Sequence, residues 1–465
     1  MAGYFTPARG SEHKRLLIGP ASSRLLDLIA HFFMHLMAEG VCKTMRSLSL
    51  TYYAPAAVVT ISILFAAVPA RGETLTLGQA VERALAFAPT VTSATAQSDL
   101  STAMVREARA PLYPWLSTGA EYAQFPGYSI AVTNGGLSAA MLTLNYTVYD
   151  FGHRMANVRA ALYQSQAAQY GIRAARAQIV FDTTVAYYDL LRAHAIEREL
   201  TADATRLKRY VAVVKALRAS GRSIANDVLK AQTASNNAQL ALANAHSVTA
   251  RASAMLGALI GDFSQSDISV TEFSGLPAAP GGDLADNPML VAAQRSIASS
   301  KAGVQAANLE RYPTVKLALT AGWQGINPRH TFTHNGGASY DGLVSMPIFD
   351  GGLISSHIDQ ALAREHSANA GLRQVEFDLR RRMADAVLRY RQAREQIELL
   401  ASAQPTADDA FALTWTRFLG GGTVTLLEVL DAYLQAEQLR LARFDQEFAA
   451  RQASAEGALL QGVDR

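Results

Sequence analysis

The chain contains little of what most enzymes and disulfide-stabilised proteins depend on. Its single cysteine is Cys42, so no disulfide can form within one chain. Charged residues make up 17% of the sequence, below the roughly 25% of ordinary soluble domains. The formal net charge is only +3, and the absence of basic clusters gives no reason to expect a nucleic-acid partner.

The sequence also lacks a recognisable catalytic or cofactor-binding motif. The 10 histidines are scattered, and the pair His330 and His334 has no third ligand, which favours solvated loop residues over a metal site. The glycine clusters at 351–352 and 420–422 lack the lysine and hydroxyl residue that end a phosphate-binding loop. We therefore predict that the protein is not an enzyme and uses no cofactor or metal.

The amino-terminal region has the pattern of an export signal. Positive charge precedes an apolar stretch at 54–67, and residues 68–70 offer small side chains for cleavage. The apolar stretch is shorter than the roughly 20 residues of a membrane-spanning helix, so residues 45–72 are predicted to be a signal peptide. Residues 1–44 are then either an artefact of an upstream start codon or a genuine extension of the leader.

Beyond residue 75 the sequence repeats itself at an offset of about 200 residues, which indicates a duplicated structural unit. We therefore divide the chain into a first repeat at 73–274, a linker at 275–286 and a second repeat at 287–465. The matching segments occur in the same order in both halves: Tyr113-Pro114 with Tyr312-Pro313, Asp150-Phe151-Gly152 with Asp350-Gly351-Gly352, Gly221 with Gly422, and Asp227-Val228-Leu229 with Glu428-Val429-Leu430.

Each half is predicted to contain two strands. Apolar and polar residues alternate at 142–148 and at 315–323, as expected for strands with one apolar face. Their partners, at about 115–125 and 338–348, alternate less regularly.

A long helical hairpin is predicted to follow each pair of strands. Apolar residues recur every seventh position from Ile172 to Val214 and from Leu372 to Ala407, and such a repeat imposes a left-handed supercoil. The first of these helices is predicted to span about 154–219. The return helices are predicted at 225–256 and 426–460.

Glycine and helix caps mark the hairpin ends. Three glycines at 420–422 precede Thr425 and Glu428, which have the spacing of a capping box. Thr76 and Gln79 have the same spacing at the start of the first helix. The segment 417–432 is therefore predicted to be the tip of a long α-hairpin.

Four strands of about ten residues suit a bilayer crossing, because a membrane strand takes about 9–11 residues. Open strand edges are not tolerated in lipid, so several copies must share one barrel. The predicted fold is mainly α, with long antiparallel helical hairpins attached to a membrane β-barrel. The alternative is a periplasmic coiled-coil scaffold or adaptor subunit in which the strands form a soluble sheet.

These ordered motifs resemble the TolC family of outer-membrane efflux proteins, and the resemblance covers about residues 74–462. It implies a homotrimer in which each chain gives four strands to a shared barrel in outer-membrane lipid and its helices to a tunnel through the periplasm. It also implies a passive exit duct of a Gram-negative bacterium that works with a periplasmic adaptor and an inner-membrane pump of the resistance-nodulation-division (RND) or ABC type. The segments that carry the resemblance are residues 75–89, Tyr113-Pro114, 150–152, 349–352 and 422–432.

The resemblance places an entrance constriction at the hairpin tips. Three acidic residues correspond by position to those that ring this entrance, namely Asp227, Glu428 and Asp431. Three copies of each would attract cations and select by charge. A simpler interpretation stays open, because an acid in a first helical turn is stabilised by about 0.3–1 kcal/mol through the helix dipole. Asp227 and Glu428 would then be caps, and Asp431 a solvated residue.

The resemblance also assigns adaptor contacts to the tips, at Gly221, Gly422 and Thr423, although glycines would be needed in these turns in any case. Val424 and Leu419 stand where family members often carry an arginine and a tyrosine that pair with the entrance acids. A lock built from the same pairs is therefore not expected. Nearby basic residues that offer a substitute are Arg222 and Arg417.

Overall fold

The computed structural model describes residues 74–126, 128–133, 135–264, 268–272, 275–326, 336–421 and 424–462. The predicted leader and signal peptide, the histidine pair at 330 and 334, and the tip residues Gly422 and Thr423 lie outside these ranges. The elements within them are α1 Leu77–Phe87, α2 Pro89–Arg109, β1 Trp115–Gln124, α3 Ile130–Thr133, β2 Gly136–Tyr149, α4 His153–Ala219, α5 Ala225–Ile260, α6 Pro288–Leu309, β3 Thr314–Ile326, β4 Gly336–Ser345, α7 Leu353–Leu419 and α8 Leu426–Leu460.

Two very long helices dominate the molecule, as the seven-residue rows predicted. Helices α4 and α7 each contain 67 residues, which corresponds to about 100 Å at 1.5 Å per residue. They return through α5 and α8, of 36 and 35 residues. None of the helices in the described ranges is both long and apolar enough to cross a membrane.

The helices pack side by side in a different order at each end of the molecule. Near the strands, α4 lies between α2 and α6, and α6 also contacts α7. Near the hairpin tips, α4 contacts α5 and α8, and α8 contacts α7. Each end therefore presents a layer of four helices, and α4 runs through both layers.

The seven-residue rows face the interior of these layers. Leu200, Leu207 and Val214 are buried on α4, and Leu379 and Ala386 are buried on α7. Small side chains recur at the contacts because they allow the long helices to approach closely. The predicted heptad faces are confirmed as core.

A buried cluster midway along the helices ties the amino-terminal segment to both hairpins. Leu75, Ala80 and Ala84 pack there with Tyr187 of α4 and Phe448 of α8. The predicted capping box starts α1: Thr76 Oγ1 accepts from the backbone N–H of Gln79 at 3.3 Å, and Gln79 Oε1 accepts from the N–H of Thr76 at 3.0 Å. The Tyr187 hydroxyl donates to the carbonyls of Leu75 and Thr271 at 2.9 and 3.0 Å.

The four strands form one antiparallel sheet in the order β1-β2-β3-β4. β2 pairs with β1 on one side and with β3 on the other, so the two halves of the chain meet at the β2–β3 pair. The last strand ends at Ser345 rather than near 348, since Pro347 cannot donate a ladder hydrogen bond. β1 and β4 are the edges, and within one chain each pairs on one side only.

A short acidic turn converts strand into helix in both halves. Asp150 Oδ2 accepts from the backbone N–H of Arg154 at 2.8 Å, and Asp350 Oδ2 accepts from Ile354 at 2.7 Å. The following residue has a positive φ in each case, 54° at Phe151 and 65° at Gly351. The matching Asp-X-Gly segments are therefore helix starts that need a left-handed turn.

The segment 275–286 contains no helix or strand and lies along the second hairpin. The Tyr390 hydroxyl donates to the carbonyl of Pro277 at 2.6 Å, and Ser454 Oγ donates to Ala278 at 2.8 Å. Gly457 of α8 lies against Pro280, where an added Cβ would lie 2.9 Å from the proline Cα. Side chains of α7 and α8 thus hold this segment by its backbone.

Candidate entrance at the hairpin tips

The first tip joins α4 to α5 through a left-handed glycine. Gly221 has a φ of 75°, and its N–H donates to the Arg218 carbonyl at 3.0 Å. An added Cβ would meet no atom within 4 Å, so the backbone conformation, not crowding, requires glycine. The position is exposed and available to a partner.

Asp227 caps the start of α5 from its first turn. Its Oδ2 accepts from the Ser223 hydroxyl at 2.9 Å and from the Ile224 N–H at 3.4 Å. The side chain is half-buried. The capping role that the sequence suggested is therefore present, and it leaves Oδ1 without a hydrogen bond.

The second tip contains the predicted capping box. Glu428 Oε2 accepts from the Thr425 N–H at 2.9 Å, and Thr425 Oγ1 accepts from the Glu428 N–H at 3.4 Å. Glu428 nevertheless remains exposed. Asp431, one turn further, is also exposed and accepts only from Gln435 Nε2, at 3.2 Å. Its carboxylate takes no part in a cap.

Arg222 joins the two tips of one chain. Its Nη2 donates to the carbonyl of Leu419 at 2.5 Å, at the end of α7 where helix carbonyls lack intrahelical partners. A cation is favoured at this negative end of the helix dipole. Among the described residues Asp227, Glu428 and Asp431 form no ion pair with arginine, so the lock described for the family is not formed here.

Val424 has an apolar role that explains why arginine is absent from its position. It packs against a buried cluster formed by Val214 of α4, Val228 of α5 and Leu426 of α8. A charged side chain at this place would lose its hydration without gaining a partner. The two tips are therefore joined by an apolar layer together with the Arg222 hydrogen bond.

An aromatic layer lies behind the tips. Tyr210 of α4 packs on Trp415 of α7 with ring centroids 4.3 Å apart. Tyr433 of α8 meets Phe411 of α7 at 5.3 Å and Tyr210 at 6.1 Å, both edge to face. These rings connect the first hairpin with the second across three helices.

A charged group lies directly above the aromatic rings, and sequence reasoning missed it. Its centre is Asp203, which is fully buried and accepts a hydrogen bond from the Tyr433 hydroxyl at 2.5 Å. The available signal was a carboxylate between two heptad core positions, Leu200 and Leu207. We call the group the Asp203 cluster; its members are Glu199, Asp203, Arg206, Asp408, Tyr433, Glu437 and Arg440.

The described parts of the chain contain no group of three or more histidine, cysteine, aspartate or glutamate residues arranged to hold a metal ion. The entrance acids are spread over two helix starts, each with its own capping contacts. What the tips offer is exposed negative charge on a rigid frame.

Comparisons with known proteins agree with this architecture. The family model described as outer membrane efflux protein matches residues 80–262 and 282–461. The chain is 28% identical over 390 residues to the protein CyaE of Bordetella pertussis, covering 79% of this chain and 80% of that protein. It is 26% identical over 415 residues to the outer membrane protein TolC of Escherichia coli, covering 79% of each.

The fold is also similar to a solved structure. The outer membrane protein VceC of Vibrio cholerae superposes with a TM-score of 0.74 at 21% identity. The match covers 83% of this chain and 96% of that one. The long hairpins and the small antiparallel sheet thus occur together in both proteins.

Proposed function

The chain belongs to the outer membrane efflux protein family, and we propose that three copies form one duct whose periplasmic entrance is ringed by Asp227, Glu428 and Asp431. Members of the family are outer-membrane channels with a periplasmic helical tunnel, not enzymes. Channels of this family form trimers and work with adaptor and pump partners. The scaffold alternative is disfavoured accordingly.

The sheet carries the proposal of a shared barrel. β1 and β4 each leave one edge unpaired within the chain, and lipid does not tolerate unpaired backbone groups. Pairing β4 of one copy with β1 of the next satisfies both edges by a single rotation. Closure of that rotation after three copies follows the family.

Exposed apolar stripes on the two outer helices support the same assembly. In the tip-end layer α5 and α7 are the outer helices, and large apolar residues recur on one face of each at intervals of about two to four turns. Each of these residues is at least 46% exposed in one chain: Leu229, Leu240, Val248 and Met255 on α5, and Phe377, Leu388, Leu399 and Leu413 on α7. Contact between α5 of one copy and α7 of the next would bury both stripes.

Crosslinking tests the assembly. Leu229 lies about 6 Å along α5 from the tip and Leu413 about 9 Å along α7, so a Leu229→Cys, Leu413→Cys protein should yield covalent trimers with a short bismaleimide. Pairing Leu229→Cys with Leu388→Cys is the control, because Leu388 lies about 46 Å from the tip. Exclusively monomeric product from the first pair would contradict the proposal.

Asp431 gives the cleanest test of the entrance ring, since Asp227 and Glu428 also cap helices. Asp431→Asn removes one negative charge per copy without changing a cap. We expect lower cation selectivity in the reversal potential of single channels and weaker block by multivalent cations. Glu398→Gln, an exposed acid of α7 paired only with Arg394, is the matched control. Unchanged selectivity in Asp431→Asn would exclude it from the ring.

The adaptor contact is proposed at Gly221, Gly422 and Thr423. A Gly221→Asn substitution keeps a residue that tolerates the left-handed conformation and projects a side chain into open space. We expect wild-type stability with reduced copurification of the periplasmic adaptor. Full copurification would remove Gly221 from the contact. The pump, of the RND or ABC type, would then act through that adaptor.

A further inference from the structure

The Asp203 cluster is a joint between the two helical hairpins. Glu199, Asp203 and Arg206 come from α4, Asp408 from α7, and Tyr433, Glu437 and Arg440 from α8. Asp203 lies about 24 Å along α4 from the first tip. The cluster is therefore separate from the entrance acids, and its contacts lie within one chain.

Asp203 is only partly satisfied in this joint. Besides the Tyr433 hydrogen bond, its Oδ1 lies 3.3 Å from Arg206 Nη1 and 3.5 Å from Arg440 Nη2. Among the described residues, Oδ2 has no hydrogen-bond partner. A buried acceptor without a partner is unfavourable by about 1–3 kcal/mol. The joint therefore contains negative charge that its hydrogen bonds do not fully compensate.

Arg440 bridges the three helices. Its Nη1 donates to Asp408 Oδ1 at 2.7 Å, and its Nε lies 2.8 Å from Glu199 Oε1. Neither Nε nor Nη2 has a well-aligned hydrogen bond within the described chain. The attraction at these two nitrogens is thus one of proximity between opposite charges, which depends on the total charge of the cluster.

Glu437 is the member with no partner of its own. It is half-buried and makes no hydrogen bond or close ion pair with the described residues. Burial raises the pKa of Glu437, and the charges of Asp203 and Glu199 raise it further against the opposing effect of Arg440 and Arg206.

The charges of the cluster do not balance when every acid is ionised. Four carboxylates, those of Glu199, Asp203, Asp408 and Glu437, then face two guanidinium groups. Two negative charges are left over, and protonation of Glu437 reduces this excess to one.

We propose that Glu437 makes the joint between the two hairpins proton-sensitive, so that the hairpins hold each other more tightly when this carboxyl is protonated. The groups facing it are Glu199, Asp203 and Arg206 from α4, Asp408 from α7, and Tyr433 and Arg440 on its own helix. Both arginines stay charged throughout the accessible pH range. Glu437 therefore controls how much repulsion Asp203 and Glu199 experience.

The direction of the effect follows from linkage. A carboxyl whose folded pKa lies above its unfolded value, 4.5 for Glu437, imposes no charge penalty on the folded joint below that value. The penalty grows as the pH rises through the raised pKa and is complete above it. Acidification from neutral pH therefore tightens the joint.

Amide hydrogen exchange on the purified full-length protein tests this inference. Rates at about pH 8 and about pH 5, corrected for the intrinsic dependence of exchange on pH, give the opening of α4 near Asp203 and of α8 near Glu437. We expect slower opening at the lower pH, by about tenfold for each unit of pKa displacement. The isosteric Glu437→Gln variant should open slowly at both pH values.

The controls separate Glu437 from other titrating groups. Glu398→Gln removes an exposed acid outside the cluster and should respond to pH as the wild type does. His246 pairs with Glu197 on the adjacent part of α4 and titrates in the same range, so a Glu437→Gln protein that keeps the full response would overturn the proposal. Wild-type opening that is independent of pH would overturn it as well. Exchange at the joint is independent of the duct proposal, which conductance and crosslinking test.

Discussion

Replacing Asp150 by alanine should loosen the start of α4, where the membrane strands pass into the tunnel helices. In the wild type, Oδ2 accepts from the N–H and the Nε of Arg154, both at 2.8 Å, and Oδ1 accepts from the Gly152 N–H at 3.2 Å. Alanine removes all three acceptor contacts. Asp150 is only 8% exposed, so little water reaches the donors that are left.

The contacts set the size of the effect. A hydrogen bond to a charged group contributes about 1.5–3 kcal/mol, and two backbone donors lose such an acceptor. Arg154 keeps a second acceptor, the Pro111 carbonyl at 2.7 Å, so its lost ion pair adds at most about 1 kcal/mol. We expect a loss of about 3 kcal/mol, which corresponds to about a 150-fold increase in opening of the first turn of α4.

The second half of the chain supplies the matched control. Asp350 accepts from the N–H groups of Gly352 and Ile354 at 2.9 and 2.7 Å, but it is exposed and no arginine side chain contacts it. Water can replace its carboxylate, so Asp350→Ala should have a clearly smaller effect. Amide exchange in the peptides that begin α4 and α7 measures both. An equal or larger effect at Asp350 would refute the reasoning from burial.

Three further outcomes are expected. Burial raises the pKa of Asp150, but the hydrogen bonds that it accepts outweigh this and hold the pKa below 3.8; opening of the α4 start should therefore be insensitive to pH above about 4 and increase only as the pH falls through the lowered pKa. Tyr433→Phe should leave buried Asp203 with fewer partners, at about 2 kcal/mol, and lower the midpoint of thermal helix loss measured by circular dichroism; an unchanged midpoint would contradict the hydrogen bond. Gly457→Ala should displace the linker at Pro280, at about 1–3 kcal/mol, and be detected as faster protease cleavage within 275–286, whereas wild-type cleavage would show that the contact has room to adjust.

Local and periodic features of this chain were predictable from its sequence. The capping box of Thr425 and Glu428 spans three residues, and its hydrogen bonds need nothing beyond one helical turn. The heptad positions Leu200 and Leu207 became core because a sustained seven-residue period always points to one side of a helix. The same applies to the helix starts after Asp150 and Asp350, whose chemistry is contained within five residues.

The location of the candidate entrance could be predicted, but its contacts could not. The acids at the tips were identified by position, and the structure adds that two of them cap helices while Asp431 does not. Arg222 was one of two basic candidates near the tips, and its partner turned out to be the Leu419 carbonyl of the other hairpin. Such a choice depends on which helix ends meet, and the sequence pattern carries no information about that.

Only the tertiary structure decided which residues of different helices meet. Asp203 and Tyr433 are 230 positions apart, and each looks ordinary within its own helix. The order β1-β2-β3-β4 likewise depends on backbone pairing between the two halves of the chain. Periodicity and capping act through neighbours in the chain, so the sequence by itself determined the long helices, their buried faces and their ends. Contacts between distant segments depend on how those helices pack, and for that reason the Asp203 cluster and the joining of the tips emerged only in the folded protein.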